Sequence, residues 1–349
     1  MKPPAKTYKE RIYDYLRTHP NLSAAEISNR NKGHLGDRTY VSKLLAKLLA
    51  EDRVTATRLG NRITYRVTDY VIIAEETLSL VGLREDEIWS KIRESATDLR
   101  TLSENAENIL YFAFTEMLNN AIDHSRSGVG YIKIWLEDSK IKFIVKDNGV
   151  GVFRNVMASR HLASEPDAAG ELIKGKLTTQ PGWHSGEGIF WTSKVADRFS
   201  LKSYDYELTL DNSLKDYTIV KLPVPLIGTE VYFEVAINTA KSLQSLFREY
   251  SFDHTKLTLD TTVIPVRLFE SGDVWISRSQ AKKLLSGLDK YKKIIFDFAG
   301  ISIIGQAFAD EIFRVFNIHH PSIELEPINM SESVALMVNR AQNDPTGRE

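Results

Sequence analysis

The chain has no cysteine, which excludes disulfides and thiolate metal sites and suits a reducing cytosol. No uninterrupted apolar run approaches the roughly 18 residues of a membrane span, and the opening Met1-Lys2-Pro3-Pro4 carries no apolar signal segment. A cytoplasmic protein is therefore expected, with no membrane among its partners. Net charge is nearly lacking too: 45 Lys and Arg stand against 46 Asp and Glu in 349 residues. That balance hides a division. Residues 1–70 hold 14 Lys and Arg against 7 Asp and Glu, a net +7, and the remainder holds 31 against 39, a net −8. A basic head on an acidic body points to a polyanionic partner for the head. The length suits two or three domains, and 42% hydrophobic residues let each bury a core.

What is present is concentrated in residues 109–151. Placed on a helix at about 100° per residue, residues 109–124 separate by face. Leu110, Ala113, Phe114, Met117, Leu118 and Ala121 make an apolar arc, which predicts core. Glu116, Asn120 and Asp123 share a neighbouring strip. A carboxylate and a carboxamide one turn apart offer a proton acceptor beside a neutral oxygen ligand, a pair suited to a hydrated Mg²⁺ ion and an attacking water. Two predicted strands, Tyr131–Leu136 and Lys140–Lys146, lead into Asp147-Asn148-Gly149-Val150-Gly151. Taken alone, the first run reads as a solvated helix face and the second as a tight turn.

Together these runs resemble the ATP-binding domain of the GHKL superfamily, which includes DNA gyrase, heat-shock chaperones, histidine kinases and mismatch-repair ATPases. That family's E-x-x-x-N-A box is matched by Glu116, Asn120 and Ala121, and its D-x-G-x-G box by Asp147, Gly149 and Gly151. A later G-x-G is matched by Gly186-Glu187-Gly188, and a Gly-Thr opening a strand by Gly228-Thr229. The resemblance implies a Bergerat-type α+β sandwich over residues 71–240 with ATP and Mg²⁺ as cofactors. It makes Glu116 the general base, Asn120 the metal ligand and Asp147 the acceptor of the adenine amino group. Asp123, Gly149, Gly151, Gly186, Gly188 and Thr229 are expected to complete the nucleotide site. Residues 153–183, broken by Gly170, Gly175, Pro181 and Gly182, are expected to form an irregular ATP lid, and 71–108 to be mostly helical. Gly170 to Leu177 nearly satisfies the P-loop pattern, but Leu177 replaces the hydroxyl that would bind Mg²⁺, so a P-loop is rejected. Lys174 and Lys176, within that stretch, are expected to be solvated rather than phosphate ligands, and His184 a packed or solvated loop residue.

The head predicts three helices and a hairpin. Tyr8, Ile12, Tyr15 and Leu16 have helical spacing; Ser23 with Glu26 forms a capping-box pattern; Asp37 caps a helix burying Val41, Leu44, Leu45 and Leu48. Gly60-Asn61 joins two β-rich runs. This order resembles a winged helix-turn-helix, which implies double-stranded DNA as partner, or protein contact and dimerisation alone. On the DNA reading, Arg38, Thr39, Ser42, Lys43 and Lys47 face the major groove, and Arg58 and Arg62 lie on the wing.

From residue 257 to 349 strands alternate with helices: Val274–Ile276, a helix capped by Ser279, Lys293–Phe298, a helix over 307–316, Ile323–Leu325 and a last helix. Ile294 to Ser302 followed by Ala307 to Glu311 resembles the STAS-like fold of anti-sigma antagonists. Gly305-Gln306-Ala307 stands where those carry a phosphorylatable Ser or Thr, so a protein-docking or dimerisation role, with a homodimer, is expected. Asp310 and Glu311 read as a helix-surface pair. None of the eight histidines has a phosphoacceptor setting. The expectation is a multidomain ATP-gated DNA-binding regulator with slow Mg-dependent ATPase activity. A serine/threonine kinase of the anti-sigma type and a non-hydrolysing nucleotide sensor are the alternatives.

Overall fold

The computed structural model describes residues 7–31, 34–51, 53–67, 70–175, 187–251, 258–269 and 277–343. The chain divides into two compact units, residues 1–73 with 134–141, and residues 74–133 with 142–349.

The first unit opens with helices α1 (Tyr8–Thr18), α2 (Ala24–Arg30) and α3 (Arg38–Ala50), then strands β1 (Val54–Leu59) and β2 (Arg62–Val67). The caps explain where the helices start. Ser23 Oγ accepts from Glu26 N (3.3 Å) and Glu26 Oε2 from Ser23 N (2.8 Å), which satisfies two donors a helix start would leave open. Asp37 Oδ1 accepts from Tyr40 N (2.8 Å). Val41, Leu44, Leu45 and Leu48 are buried, in one core with Ile12, Leu16, Ile27 and Val54. The antiparallel β1–β2 pair turns at Gly60, whose φ is +60°.

A second sheet has the order β3-β4-β5-β7-β6, from β3 (Val71–Ser79), β4 (Val129–Glu137), β5 (Lys140–Asp147), β6 (Arg198–Asp211) and β7 (Asp216–Ala236). Residues 71–79 are thus a strand and not part of a helix. The β-branched Val71, Ile72, Ile73 and Thr77 favour the pleat, and the helical spacing belongs only to α4 (Glu85–Ser95). Helix α5 (Glu104–His124) buries the whole predicted apolar arc. Its Phe114 ring meets Phe143 of β5 edge-on (5.7 Å between centroids), and Phe143 stacks on Phe233 of β7 (4.8 Å). Where an irregular lid was expected, α6 (Val152–Arg160) and α7 (Glu165–Lys174) are regular helices. Ser164 caps α7 by accepting from Asp167 N (3.4 Å), and Pro166 is tolerated because the first turn needs no N–H there. α8 (Gly188–Val195) precedes β6. β6 and β7 are long continuous strands, with a register shift in their pairing between Ser203 and Tyr206.

The C-terminal part contains α9 (Leu243–Glu249), β8 (Thr261–Pro265), α10 (Arg278–Leu285), β9 (Lys293–Asp297), α11 (Gln306–Asp310), a π-helical turn Glu311–Phe316, α12 (Asn317–His319), β10 (Glu324–Ile328) and α13 (Glu332–Asn343). The sheet order is β10-β9-β8, all parallel. The residues of the strand expected at Val274–Ile276 lie outside the described residues, and β8 pairs with β9 on the side opposite β10. The cap of α10 is Ser277, not Ser279: Ser277 Oγ accepts from Gln280 N (3.2 Å) and Gln280 Oε1 from Ser277 N (3.0 Å). Asp310 and Glu311 are not a surface pair either. Asp310 binds Arg314 (2.5 and 2.7 Å) and Glu311 is 7% exposed. The core of this part includes Phe296, Phe298 and Phe308, and also Phe190 and Trp191 from α8. Burying a side chain the size of Phe190 contributes roughly 2–3 kcal/mol. Among the described residues no helix is long and apolar enough to cross a membrane.

Candidate functional site

Helix α5 carries two points of convergence. Near its middle, Glu116 meets the start of α8, where Gly188 leaves so little room that a Cβ would overlap Glu116 Oε2. Among the described residues Glu187 supplies no side-chain cap to α8, and a helix start is a place where an anionic oxygen is favoured. One turn along α5, the amide nitrogen of Asn120 is buried with no hydrogen-bond partner. Leaving such a group unsatisfied costs about 1–3 kcal/mol, so this position is prepared for a ligand or water. Asp123, on the same strip, is exposed.

At the C-terminal end of α5 the carbonyl of Ser125 accepts from Val150 N (2.9 Å). This fixes the loop after β5 against the helix. Gly149 is required there, since a Cβ would overlap the Ser125 carbonyl oxygen. Asp147 ends β5 and is 5% exposed. Its Oδ1 accepts from Gly149 N (2.8 Å). Burial raises its pKa above the ordinary carboxylate range, and the N–H groups of Gly149 and Thr229 pull it back. Gly228, with φ +84°, lets β7 pass so close that a Cβ would strike the Asp147 carbonyl. Thr229 Oγ1 then accepts from Val152 N (3.0 Å), tying β7 to the start of α6. Thus Asp147, Gly149 and Thr229 come together, and Glu116 and Gly188 come together, with α5 joining the two groups.

Several contributors have no sequence signal. Tyr204, at φ +48°, donates to the Gly149 carbonyl (3.1 Å) and lies 3.4 Å beneath the Arg154 guanidinium. Ser203 Oγ is buried without a partner, and Gly151 (φ +78°) has no room for a Cβ beside it. Lys174 is not solvated as expected but 1% exposed, and Gly170 lies inside α7 rather than in a phosphate loop. Gly186, His184 and Lys176 lie outside the described residues.

Among the described residues no group of three or more His, Cys, Asp or Glu side chains could form a protein metal cage. A Mg²⁺ ion held by one carboxamide would take its other ligands from phosphate oxygens and water, as Mg²⁺ commonly does. Mg²⁺ would take the Asn120 carboxamide oxygen, while its unpartnered amide nitrogen, a hydrogen-bond donor, would suit an anionic oxygen.

In the first unit, Arg38, Thr39, Lys43 and Lys47 are exposed on α3. Ser42 turns back to its own helix, its hydroxyl donating to the Arg38 carbonyl (2.9 Å). On the hairpin Arg58 Nε donates to the Gly60 carbonyl (3.2 Å), and Arg62 is engaged by Glu26 (2.6 Å). The hydrogen bonds of the Ser23 hydroxyl and amide, with that of Arg62, lower the Glu26 pKa to about 2.

Residues 280–335 match the family described as a STAS-like domain of unknown function (DUF4325). The chain is accordingly a mixed α/β multidomain protein with a small STAS-like domain in its C-terminal part. The search of curated proteins returns no match to it.

Proposed function

We propose that the chain is an ATP-binding regulator in which a GHKL-type sandwich holds Mg-ATP, a winged helix-turn-helix contacts double-stranded DNA, and the STAS-like domain relays the nucleotide state. The observation that carries this reading is the pair of convergences on α5. From Glu116 to Ser125 the helix rises roughly 13 Å, a span comparable to an extended nucleoside triphosphate.

At one end the buried Asp147 carboxylate would accept the adenine amino group. Guanine lacks that donor, so pairing a buried acceptor with it gives selectivity. At the other end the start of α8 and the close approach at Gly188 suit phosphate oxygens. Asn120 would hold Mg²⁺, which supplies charge neutralisation at the phosphates when bound. Glu116 would take the proton of an attacking water. The cytosol is the expected compartment.

The test follows the γ-phosphate of labelled Mg-ATP on purified protein beside Glu116→Ala. Free phosphate that vanishes in the variant is the expected result and makes Glu116 the base of an ATPase. Label on a protein side chain would instead select a serine/threonine kinase, and binding without release a nucleotide sensor. Asn120→Ala is expected to abolish Mg-dependent binding; unchanged Mg-ATP affinity in that variant would overturn the site.

A further inference from the structure

The C-terminal end of α7 is held by the STAS-like part of the chain. The Lys174 carbonyl accepts two hydroxyl hydrogen bonds, from Thr262 on β8 (2.8 Å) and from Tyr291 just before β9 (2.5 Å). Its ammonium donates to Glu171 (2.5 Å) and to the carbonyls of Ser286 (3.1 Å) and Lys283 (3.4 Å) at the end of α10. Lys290 donates to the Gly175 carbonyl (3.3 Å), and Lys283 pairs with Asp167 in the first turn of α7.

The last carbonyls of any helix lack intrahelical donors. Here the exchange is mutual: Thr262 and Tyr291 of the C-terminal part cap the end of α7, and Lys174 of α7 caps the end of α10. Desolvation lowers the Lys174 pKa, opposed chiefly by Glu171, so undocking α7 would rehydrate a buried ion pair and leave four carbonyls to water.

α7 lies in sequence between α6, which starts at the Asp147–Gly151 loop, and α8, which starts against Glu116. α8 in turn sends Phe190 and Trp191 into the C-terminal core, where Phe190 meets Tyr250 edge-on (5.2 Å). Two consecutive helices, α7 and α8, are thus built into the C-terminal part, and α8 is the one that starts at the candidate site. We propose that this domain is a latch acting in cis on α7, so that docking of α7 on β8 and α10 and nucleotide binding form one linked equilibrium. The latch rests on the nucleotide reading given above. By reciprocity, whatever shifts docking must shift nucleotide affinity by the same factor.

The test uses the full chain and the double variant Thr262→Val, Tyr291→Phe, which removes two donors without adding charge. Hydrogen exchange is followed in α7, β8 and α10 with and without Mg-ATP, and affinity is measured by titration. The double variant is expected to exchange α7 amides at least fivefold faster and to bind Mg-ATP with at least a threefold altered affinity. Mg-ATP added to the parent is expected to change exchange in β8 and α10. Lys174→Met, which keeps the apolar stem, is expected to give the same shifts and serves as the readout if the double variant unfolds. Parent protein that binds Mg-ATP with β8 and α10 unmoved, beside variants of equal affinity, overturns the latch and leaves the nucleotide site standing. Parent protein that binds no nucleotide overturns the site and the latch together.

Discussion

Gly188 and Glu116 are in contact through the absence of a side chain: a methyl group at the first position of α8 would occupy the place of Glu116 Oε2. The obstacle is the far end of a flexible side chain, so Gly188→Ala is expected to fold, with the carboxylate displaced. Phosphate release should fall at least tenfold while the melting temperature stays within a few degrees. Gly149→Ala should behave oppositely. Its obstacle is the Ser125 backbone carbonyl, and the forced shift should cost about 1–3 kcal/mol, read as a lower denaturant midpoint whether or not nucleotide is present.

Asp147 should trade stability for binding. Its folded pKa is raised by burial, so the native state favours the protonated form. The penalty for ionising it is absent below the ordinary carboxylate value near 3.8 and complete once pH exceeds the raised folded value. At neutral pH, Asp147→Asn is therefore expected to leave the melting temperature unchanged or raise it, while lowering ATP affinity at least tenfold. A variant that loses stability at pH 7 would contradict the sign.

Lys194 offers a second pH test, away from the candidate site. It is 9% exposed, and its ammonium lies 5.5 to 6.0 Å from the ring centroids of Phe190, Tyr217 and Tyr250. Burial lowers its pKa from 10.5 to about 8 despite the attraction of Glu249 and Asp297. Between those two values the unfolded chain binds more protons, so this group's contribution to stability rises with pH from about 8 to 10.5. Below the folded value the full penalty applies, on the order of 3 kcal/mol at about 1.36 kcal/mol per unit. Lys194→Met should remove that window from a plot of unfolding free energy against pH, and should be more stable than the parent at pH 7.

For the first unit, Lys43→Glu with Lys47→Glu is expected to weaken binding to duplex DNA at least tenfold in low salt and to flatten the salt dependence. Both lysines are exposed on α3. Arg62, already paired with Glu26, should matter less: Arg62→Ala is expected to change affinity by less than threefold. Equal affinity of parent and double variant would sink the DNA reading.

Local chemistry was legible in the sequence where it repeats or punctuates. The Ser23–Glu26 box, the Asp37 cap and the apolar arc of α5 all occur where spacing predicts them, because caps and periodicity are properties of neighbouring residues. Residues 71–79 depart from the helical expectation for 71–108 because their β-branched run favours a strand, and helical structure begins only at α4. Gly170 and Gly175 suggest a loop over 153–183, yet the first is buried inside α7 and the second ends it at φ +81°, positions that suit glycine without breaking the helix. The burial of Lys174 is not legible in the sequence, since its partners Thr262, Ser286 and Tyr291 lie 88, 112 and 117 residues away and no local pattern announces them. At the candidate site the glycines and carboxylates stand out in the sequence, whereas Tyr204 and Ser203 are identified only by the place β6 brings them to.

The hydrophobic core of the C-terminal part begins long before the family match at residue 280 does. Phe190, Trp191 and Tyr250 belong to it as fully as Phe296 or Phe308. A border drawn in front of the matched segment would strip those rings from their neighbours and leave apolar surface on both pieces. Helix α8 and the C-terminal sheet therefore behave as one packing unit, and a fragment that starts at residue 280 is expected to expose apolar surface that α8 covers in the full chain.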